Sequence, residues 1–139
     1  MKMPNKICVV GTGYFSQFHF DAWFRLGVNL NGICSLNLEE AEKVSQKFFS
    51  CKAFTDYELM MEAVKPDLID IVVPPSEQFL IIKAAIDRRI NIVCQKPFTT
   101  SLNEAEKVVG LAKNANVKIF VHENFRFQPW HTEIKRMLD

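Results

Sequence analysis

Two glycines near the amino terminus form the first pattern that could carry chemistry. The run Ile7–Val10 is apolar and rich in β-branched residues, which predicts a short strand buried on both faces. A glycine-containing turn follows, and a helical pattern begins directly after it. Such a turn gathers unpaired N–H groups at the positive end of a helix dipole, where a pyrophosphate can bind. The predicted phosphate-binding turn consists of Gly11, Thr12, Gly13, Tyr14 and Phe15.

The turn matches the full glycine fingerprint only in part. A side chain at Gly13 would fill space that the phosphates need. The sixth position, where a third small residue lets the helix pack closely on the strand, is Ser16. Serine is small enough for this packing, but the pattern alone fits an ordinary glycine turn equally well.

The end of the second predicted strand is the usual place for an acidic residue that holds an adenosine ribose. Here that position is Ser35, followed by Leu36 and Asn37. We find no acid there to reject a 2′-phosphate, and no Arg or Lys to bind one. NAD and NADP both stay open, with a slight preference for NADP; alternatively, Ser35 only begins a turn.

Lys96 lies between a buried apolar run and Pro97. Proline fixes the local backbone, through a cis bond in some cases, and could direct the lysine toward a site at the strand end. An ammonium group there could polarise a carbonyl or stabilise an alkoxide. The alternative is a surface lysine of the ordinary kind.

Polar residues also follow the last predicted strand, where His122 and Glu123 precede Asn124. They could act on a substrate or form a solvated loop with an ion pair. His19 lies one turn into the first helix, where a lone histidine is more often packed than catalytic. The sequence has no metal-ligand spacing and no nucleophile–base–acid pattern.

Apolar runs alternate with helix signals along the chain. The predicted strands are Ile7–Val10, Leu30–Ser35, Ala53–Phe54, Leu68–Val73, Ile90–Cys94 and Val117–Val121. The predicted helices run from Tyr14 to Leu26, Asn37 to Phe49, Thr55 to before Pro66, Ser76 to Arg88, Ser101 to Asn114, and onward from Pro129. This order predicts one α/β domain over residues 1–139, with a doubly wound, mostly parallel sheet and helices on both faces.

The same patterns predict which side chains pack in the core and which residues cap the helices. The first helix should bury an apolar face, and the aromatic group near the carboxyl terminus should pack as core. The face consists of Phe15, Phe18, Ala22 and Leu26, and the group of Phe125, Phe127 and Trp130. Asn37 with Glu40, Thr55 with Glu58, and Ser101 with Glu104 have the spacing of capping boxes, and Gly27 is a C-cap candidate.

The unusual polar and glycine clusters all fall where a predicted strand ends. In doubly wound sheets ligands bind beyond the carboxyl ends of the strands, so these clusters predict one site. They are Gly11 to Ser16, Ser35, Pro74-Pro75, Gln95-Lys96-Pro97 and His122-Glu123-Asn124.

Composition excludes several classes of function. The 139 residues are 48% apolar and 24% charged with a net charge of +1, which is typical of a globular protein and gives no footprint for nucleic acid. No run approaches a membrane span, and no secretory signal is evident, so we expect a cytoplasmic location and no membrane partner. The four cysteines lack metal spacing and should be reduced, mostly buried thiols.

Four ordered motifs together resemble one family. They are Gly11-x-Gly13-x-x-Ser16-x-x-His19, Val73-Pro74-Pro75, Cys94-Gln95-Lys96-Pro97-Phe98 and Glu123-Asn124-Phe125-Arg126-Phe127. The chain resembles the N-terminal Rossmann domain of the glucose–fructose oxidoreductase, inositol dehydrogenase and rhizopine catabolism (Gfo/Idh/MocA) family. The resemblance implies an NAD or NADP cofactor and hydride transfer with a sugar, inositol or related polyol.

The resemblance also implies roles for residues. Lys96 matches the active-site lysine of the family's Glu-Lys-Pro motif, with Gln95 in place of the glutamate. It implies a nicotinamide near Lys96 and Asn124, and cofactor contacts from Pro74 and Gln95. The family's acid near Ser35 and its histidine near Gln78 are absent.

Family enzymes are about twice this length and carry a second domain that supplies the substrate pocket. We therefore expect this chain to correspond to the N-terminal half and to be inactive alone; a homo-oligomer is compatible with this interpretation. The alternative is a non-catalytic dinucleotide-binding or partner-binding module. A methyl-donor-binding domain is a weaker alternative, because it needs an acidic ribose ligand where Ser35 stands.

Overall fold

A computed structural model of the protein describes residues 6–139. Strands and helices alternate along the chain. The strands are β1 (Ile7–Val10), β2 (Leu30–Cys34), β3 (Lys52–Phe54), β4 (Leu68–Ile71), β5 (Asn91–Gln95) and β6 (Ile119–His122). The helices are α1 (Ser16–Arg25), α2 (Leu38–Phe48), α3 (Tyr57–Val64), α4 (Pro75–Asp87), α5 (Leu102–Ala115) and α6 (Pro129–Leu138), with a 3₁₀ turn over Asn124–Phe127.

All six strands form one parallel sheet in the order β3-β2-β1-β4-β5-β6. The chain winds outward from β1 to one edge, returns to the centre and winds to the other edge. This is the predicted doubly wound α/β fold. The carboxyl ends of β1 and β4 therefore lie side by side at the point where the winding direction reverses, which is where such sheets bind ligands.

Two apolar cores cover the two faces of the sheet. Helices α1 and α2 contribute Phe20 and Ala41 to one core, and helices α3, α4 and α5 contribute residues such as Met60, Ile82 and Val108 to the other. The central strands are mostly apolar because both faces of the sheet are covered there. Each predicted strand and helix is present, with ends that differ by a residue or two.

The predicted apolar face of α1 is wrong. Phe15, Phe18 and Leu26 are more than half exposed, and the helix buries Ser16, His19 and Phe20 instead. The spacing of the large apolar residues indicated a different face of the helix. The polar Ser16 and His19 are buried because they have hydrogen-bond partners in the interior. The aromatic group at the carboxyl terminus was also predicted wrongly as core, since Phe125, Phe127 and Trp130 are at least half exposed.

The predicted caps are correct in part. Asn37 and Ser101 cap α2 and α5 through their side chains, and Pro129 begins α6. Helix α3 is capped by Asp56, not by Thr55, because the Asp56 carboxylate accepts from two N–H groups of the first turn.

Helix α4 begins at Pro75, so Ser76 lies within the helix and is not its cap.

The cysteines are free, as predicted: Cys8, Cys34 and Cys94 are buried and Cys51 is half-buried. Burial raises the pKa of the Cys8 and Cys94 thiols to about 12, so these thiols stay protonated at neutral pH.

Candidate dinucleotide site

Gly11 is held where two strand ends meet. It has a φ of +109°, and its N–H donates to the carbonyl of Cys34 at 2.8 Å. A Cβ on Gly11 would lie 2.1 Å from the carbonyl oxygen of Val72, just beyond β4. The close approach of these backbones therefore requires glycine, whatever the turn binds.

Gly13 has a different environment. Apart from Gly13 itself and its chain neighbours, no atom of residues 6–139 lies within 4 Å of the position that a Cβ on Gly13 would take. Ser16, at the start of α1, is buried, and its hydroxyl donates to the carbonyl of Gly13. Helix α1 thus begins immediately behind an open backbone turn, which is a cradle that a side chain at Gly13 would fill.

A cavity of about 460 Å³ lies beyond the carboxyl ends of β1, β2 and β4. Five of the predicted cofactor-binding residues line it: Gly11, Thr12, Gly13, Ser35 and Pro74. An elongated, phosphate-containing ligand fits this arrangement, because the turn and the helix start face the cavity and apolar walls flank it.

The rings of Tyr14 and Phe15 lie outside this cavity and are 74% and 59% exposed. They contact each other and the ring of Phe18 with centroid separations between 5.5 and 6.3 Å. The turn therefore carries an exposed aromatic group on the side away from the cavity.

An acidic side chain does reach the end of β2, contrary to the sequence analysis. The carboxylate of Glu40, in the first turn of α2, accepts from the hydroxyl of Thr12 at 2.9 Å and lies 3.4 Å from the hydroxyl of Ser35. The hydroxyls of Thr12 and Ser35 are 2.6 Å apart. The capping-box interpretation of Glu40 is therefore wrong, because its side chain turns toward the glycine turn.

Lys96 lies at the same edge of the sheet, directly after β5 and beyond the cavity. The Lys96–Pro97 peptide bond is cis, as the sequence analysis allowed. The Lys96 ammonium lies 5.2 Å from the centroid of the Phe125 ring. Within residues 6–139 no ion pair joins it to a carboxylate. Asn124 begins the exposed 3₁₀ turn that carries Phe125.

Gln95, directly before Lys96, is engaged by the protein itself. Its Oε1 accepts from the backbone N–H of Lys96 at 2.8 Å, so its Nε2 faces the Nε2 of His19 at 2.9 Å. An amide nitrogen only donates, and His19 therefore accepts at Nε2 and carries its proton on Nδ1. This Nδ1–H donates to the Asp70 carboxylate at 2.9 Å.

Asp70 anchors this hydrogen-bond chain from the middle of the sheet. It is fully buried in β4, and the same Oδ2 also accepts from the indole N–H of Trp23 at 2.8 Å. Asp70 was absent from the predicted site, although a lone acid inside the run Leu68–Val73 was a usable signal. The chain Asp70–His19–Gln95 fixes the backbone from which Lys96 projects.

Two neighbouring side chains complete the interior of this edge. Gln78 donates to the backbone carbonyls of Val73 and Gln95, and so ties the ends of β4 and β5 together. The ring of His122 lies against that of His19, with centroids 4.5 Å apart. Burial, aided by the neighbouring His19, lowers the pKa of His122.

The winding of the sheet, the glycine turn before α1 and the cavity at the reversal point define a dinucleotide-binding domain of the Rossmann type. The comparisons with known proteins agree. A model of the oxidoreductase family with an NAD-binding Rossmann fold, Gfo/Idh/MocA, matches residues 5–123. The chain belongs to this family.

Three relatives illustrate the relationship. The chain is 30% identical to a D-apiose dehydrogenase of Paraburkholderia graminis and 29% identical to an inositol 2-dehydrogenase of Saccharopolyspora erythraea, with 96% of the chain covered in each case. It also superposes on an Agrobacterium radiobacter oxidoreductase in complex with NAD⁺, L-tartaric acid and magnesium, with a TM-score of 0.88, 27% identity and 96% of the chain covered.

The chain spans only part of these relatives. It covers 36% of the D-apiose dehydrogenase, 40% of the inositol dehydrogenase and 39% of the solved oxidoreductase. Across residues 6–139, none of the helices has the length and apolar character to span a membrane.

Proposed function

We propose that this chain forms the cofactor-binding part of an NAD-dependent oxidoreductase that acts on the CH–OH group of a sugar, inositol or related polyol. The single observation that carries the proposal is the position of Lys96. Its ammonium projects from the carboxyl end of β5, free of any carboxylate within residues 6–139, at the edge that also carries the glycine turn. The sugar and inositol substrates of the relatives support the substrate class.

The cofactor-binding roles follow the order of residues along the edge. The backbone N–H groups of residues 12–15, directly before α1, would hold the pyrophosphate, since the Gly11 N–H already donates to Cys34. Ser35 would lie at the adenosine ribose, and Pro74 would form part of the apolar wall of the cavity. Asn124 and Lys96 would lie at the nicotinamide end, and Gln95 would contribute by holding the Lys96 backbone.

Lys96 is proposed as the catalytic residue. When bound, the nicotinamide supplies the hydride acceptor or donor. The Lys96 ammonium would donate a hydrogen bond to the reacting oxygen of the alcohol or ketone and stabilise negative charge that develops there.

A charge test on the 139-residue chain examines the position of Lys96. Oxidised nicotinamide is cationic, so a nearby ammonium repels it, whereas ADP-ribose lacks the ring altogether. Lys96→Met should strengthen binding of NAD⁺ relative to NADH about fivefold, as expected for two unit charges a few ångströms apart in water. Calorimetric titration should show unchanged affinity for ADP-ribose.

Lys118→Met is the matched control, because the substitution removes the same charge. Lys118 is exposed directly before β6, at the amino-terminal ends of the strands and far from the carboxyl ends. It should leave the NAD⁺ to NADH ratio unchanged. An identical ratio in Lys96→Met and the unaltered chain would place the nicotinamide elsewhere. Absence of binding of any dinucleotide at millimolar concentration would overturn the proposed function.

We expect no polyol turnover by the 139 residues alone, since the part of the site around Lys96 is open to solvent.

We also propose a cytoplasmic location. Three buried cysteines that remain free thiols fit a reducing compartment. Cell fractionation with an antibody to the chain tests this, and recovery in an exported fraction would contradict it.

A further inference from the structure

We infer that Glu40 holds the adenosine ribose and selects NAD(H) over NADP(H), in place of the acid that usually ends the second strand. The inference rests on the proposed function, because it concerns the same cofactor cavity. It assigns a role to a residue on α2 that the strand-end pattern does not include.

The carboxylate of Glu40 contacts both the glycine turn and the end of β2. Glu40 Oε2 lies 2.9 Å from the Thr12 hydroxyl in the glycine turn and 3.4 Å from the Ser35 hydroxyl after β2. All three residues line the cavity. The carboxylate therefore stands between the turn and the end of β2, where an acid that ended the strand would stand, although it arrives from a helix.

Glu40 does not cap α2, and its side chain turns toward the end of β2. Asn37 is the N-cap of α2, and its side-chain oxygen accepts from the Glu39 N–H at 2.9 Å. The cap is thus satisfied without Glu40. Side chains in the first turn of a helix lean toward its N-terminus, which here faces the end of β2. Glu39 is occupied by an exposed ion pair with Lys43 at 2.8 Å.

The cavity lining carries negative charge at Glu40 and Glu77. The charged side chains among the described residues that line it are two carboxylates, Glu40 and Glu77, with no Lys or Arg. A ribose 2′-hydroxyl can donate to a carboxylate in a strong hydrogen bond. A 2′-phosphate at the same place would bring about two more negative charges against Glu40. The lining therefore favours the unphosphorylated ribose.

The experiment measures the dissociation constants of NADH and NADPH for the 139-residue chain by calorimetry. We expect the unaltered chain to bind NADH at least about tenfold more tightly. Glu40→Gln keeps the shape and removes the charge, and should reduce this preference about tenfold. Glu40→Lys should reverse it, since it adds a cation beside the 2′-phosphate.

Glu42→Gln is the matched control: it makes the same change two residues along α2, and Glu42 does not line the cavity. It should retain the preference for NADH. Glu40 is exposed, so circular dichroism of its variants should match that of the unaltered chain. Adenosine monophosphate and its 2′-phosphorylated form should show the same ratios, which assigns the effect to the ribose.

The outcomes separate this inference from the proposed function. Equal affinities for NADH and NADPH in the unaltered chain, or an unchanged ratio in Glu40→Gln, would overturn the role of Glu40 and leave the dinucleotide site standing. Binding of neither dinucleotide would overturn both.

Discussion

Gly11 and Gly13 are two residues apart, and a side chain at each position would meet different neighbours. The protein itself restricts Gly11, because any Cβ there collides with the Val72 carbonyl. At Gly13 we expect a bound ligand to be the restriction, since no described residue beyond its chain neighbours comes within 4 Å of the position of a Cβ there. The first residue therefore serves folding, and we expect the second to serve binding.

This contrast makes a residue-scale prediction. Gly13→Val should abolish NADH binding by filling the phosphate cradle, with little change in the thermal unfolding temperature. Gly11→Val should lower the free energy of unfolding by about 3 kcal/mol or more, through the clash with backbone. Titration calorimetry and thermal denaturation measure the two effects. Unaltered NADH affinity in Gly13→Val would contradict the assignment of the turn.

At the same scale, Glu40 shows a limit of sequence reasoning. Its spacing from Asn37 matched a capping box, and that local pattern hid the contact with Thr12, which lies 28 residues away along the chain. Lys96 was a candidate because it lies beside a proline at a strand end, and its catalytic role, implied by the family resemblance, stays a prediction. No local pattern reports a helix side chain that reaches across to a distant turn.

At the scale of the element, the alternation of apolar runs and caps was sufficient to predict the strands and α-helices of residues 6–139, but not the 3₁₀ turn over Asn124–Phe127. It was insufficient for the orientation of α1. The buried face of that helix carries His19, whose partner Asp70 is 51 residues away in β4. A polar residue in a sequence usually predicts an exposed position, but His19 is buried because it is paired with Asp70. The pair can be recognised only once β4 and α1 are packed together.

Helix caps give an element-scale prediction. Asp56→Ala should lower the free energy of unfolding by about 1 kcal/mol, because the side chain accepts from the N–H groups of Glu58 and Leu59. Ser76→Ala is the control. Among the residues that the structure describes, the Ser76 hydroxyl donates to the adjacent Glu77 carboxylate alone, so the change should be within about 0.5 kcal/mol. Urea unfolding measures both, and equal losses would refute Asp56 as the cap.

At the scale of the whole molecule, the partly buried His122 at the end of β6 makes the free energy of unfolding depend on pH. The Nδ1 of His122 is buried and finds no hydrogen-bond partner among residues 6–139, and burial and His19 lower the pKa of His122. Asp70 and Glu123 act in the opposite direction but more weakly. The unfolded chain therefore binds a proton at His122 at a higher pH than the folded chain does.

It follows that the free energy of unfolding should fall as the pH falls below about 6.5, the value for an unperturbed histidine. The loss should continue down to the lowered pKa of the folded state. Urea unfolding at pH 7.5 and pH 5.5 should show a smaller loss in His122→Asn than in the unaltered chain. His131→Asn, on exposed α6, serves as the control and should lose as much as the unaltered chain. Equal losses in all three proteins would contradict the prediction.

The place of Glu40 on an exposed helix turn has a consequence for how this protein can evolve. Helix α2 anchors itself through Ala41 and Ser45, while Glu40 makes no contribution to the core. Cofactor preference is thereby separated from structural integrity. Selection, or an engineer, could exchange one electron carrier for another by mutations at the surface, without the compensating repairs that a change inside a central strand demands.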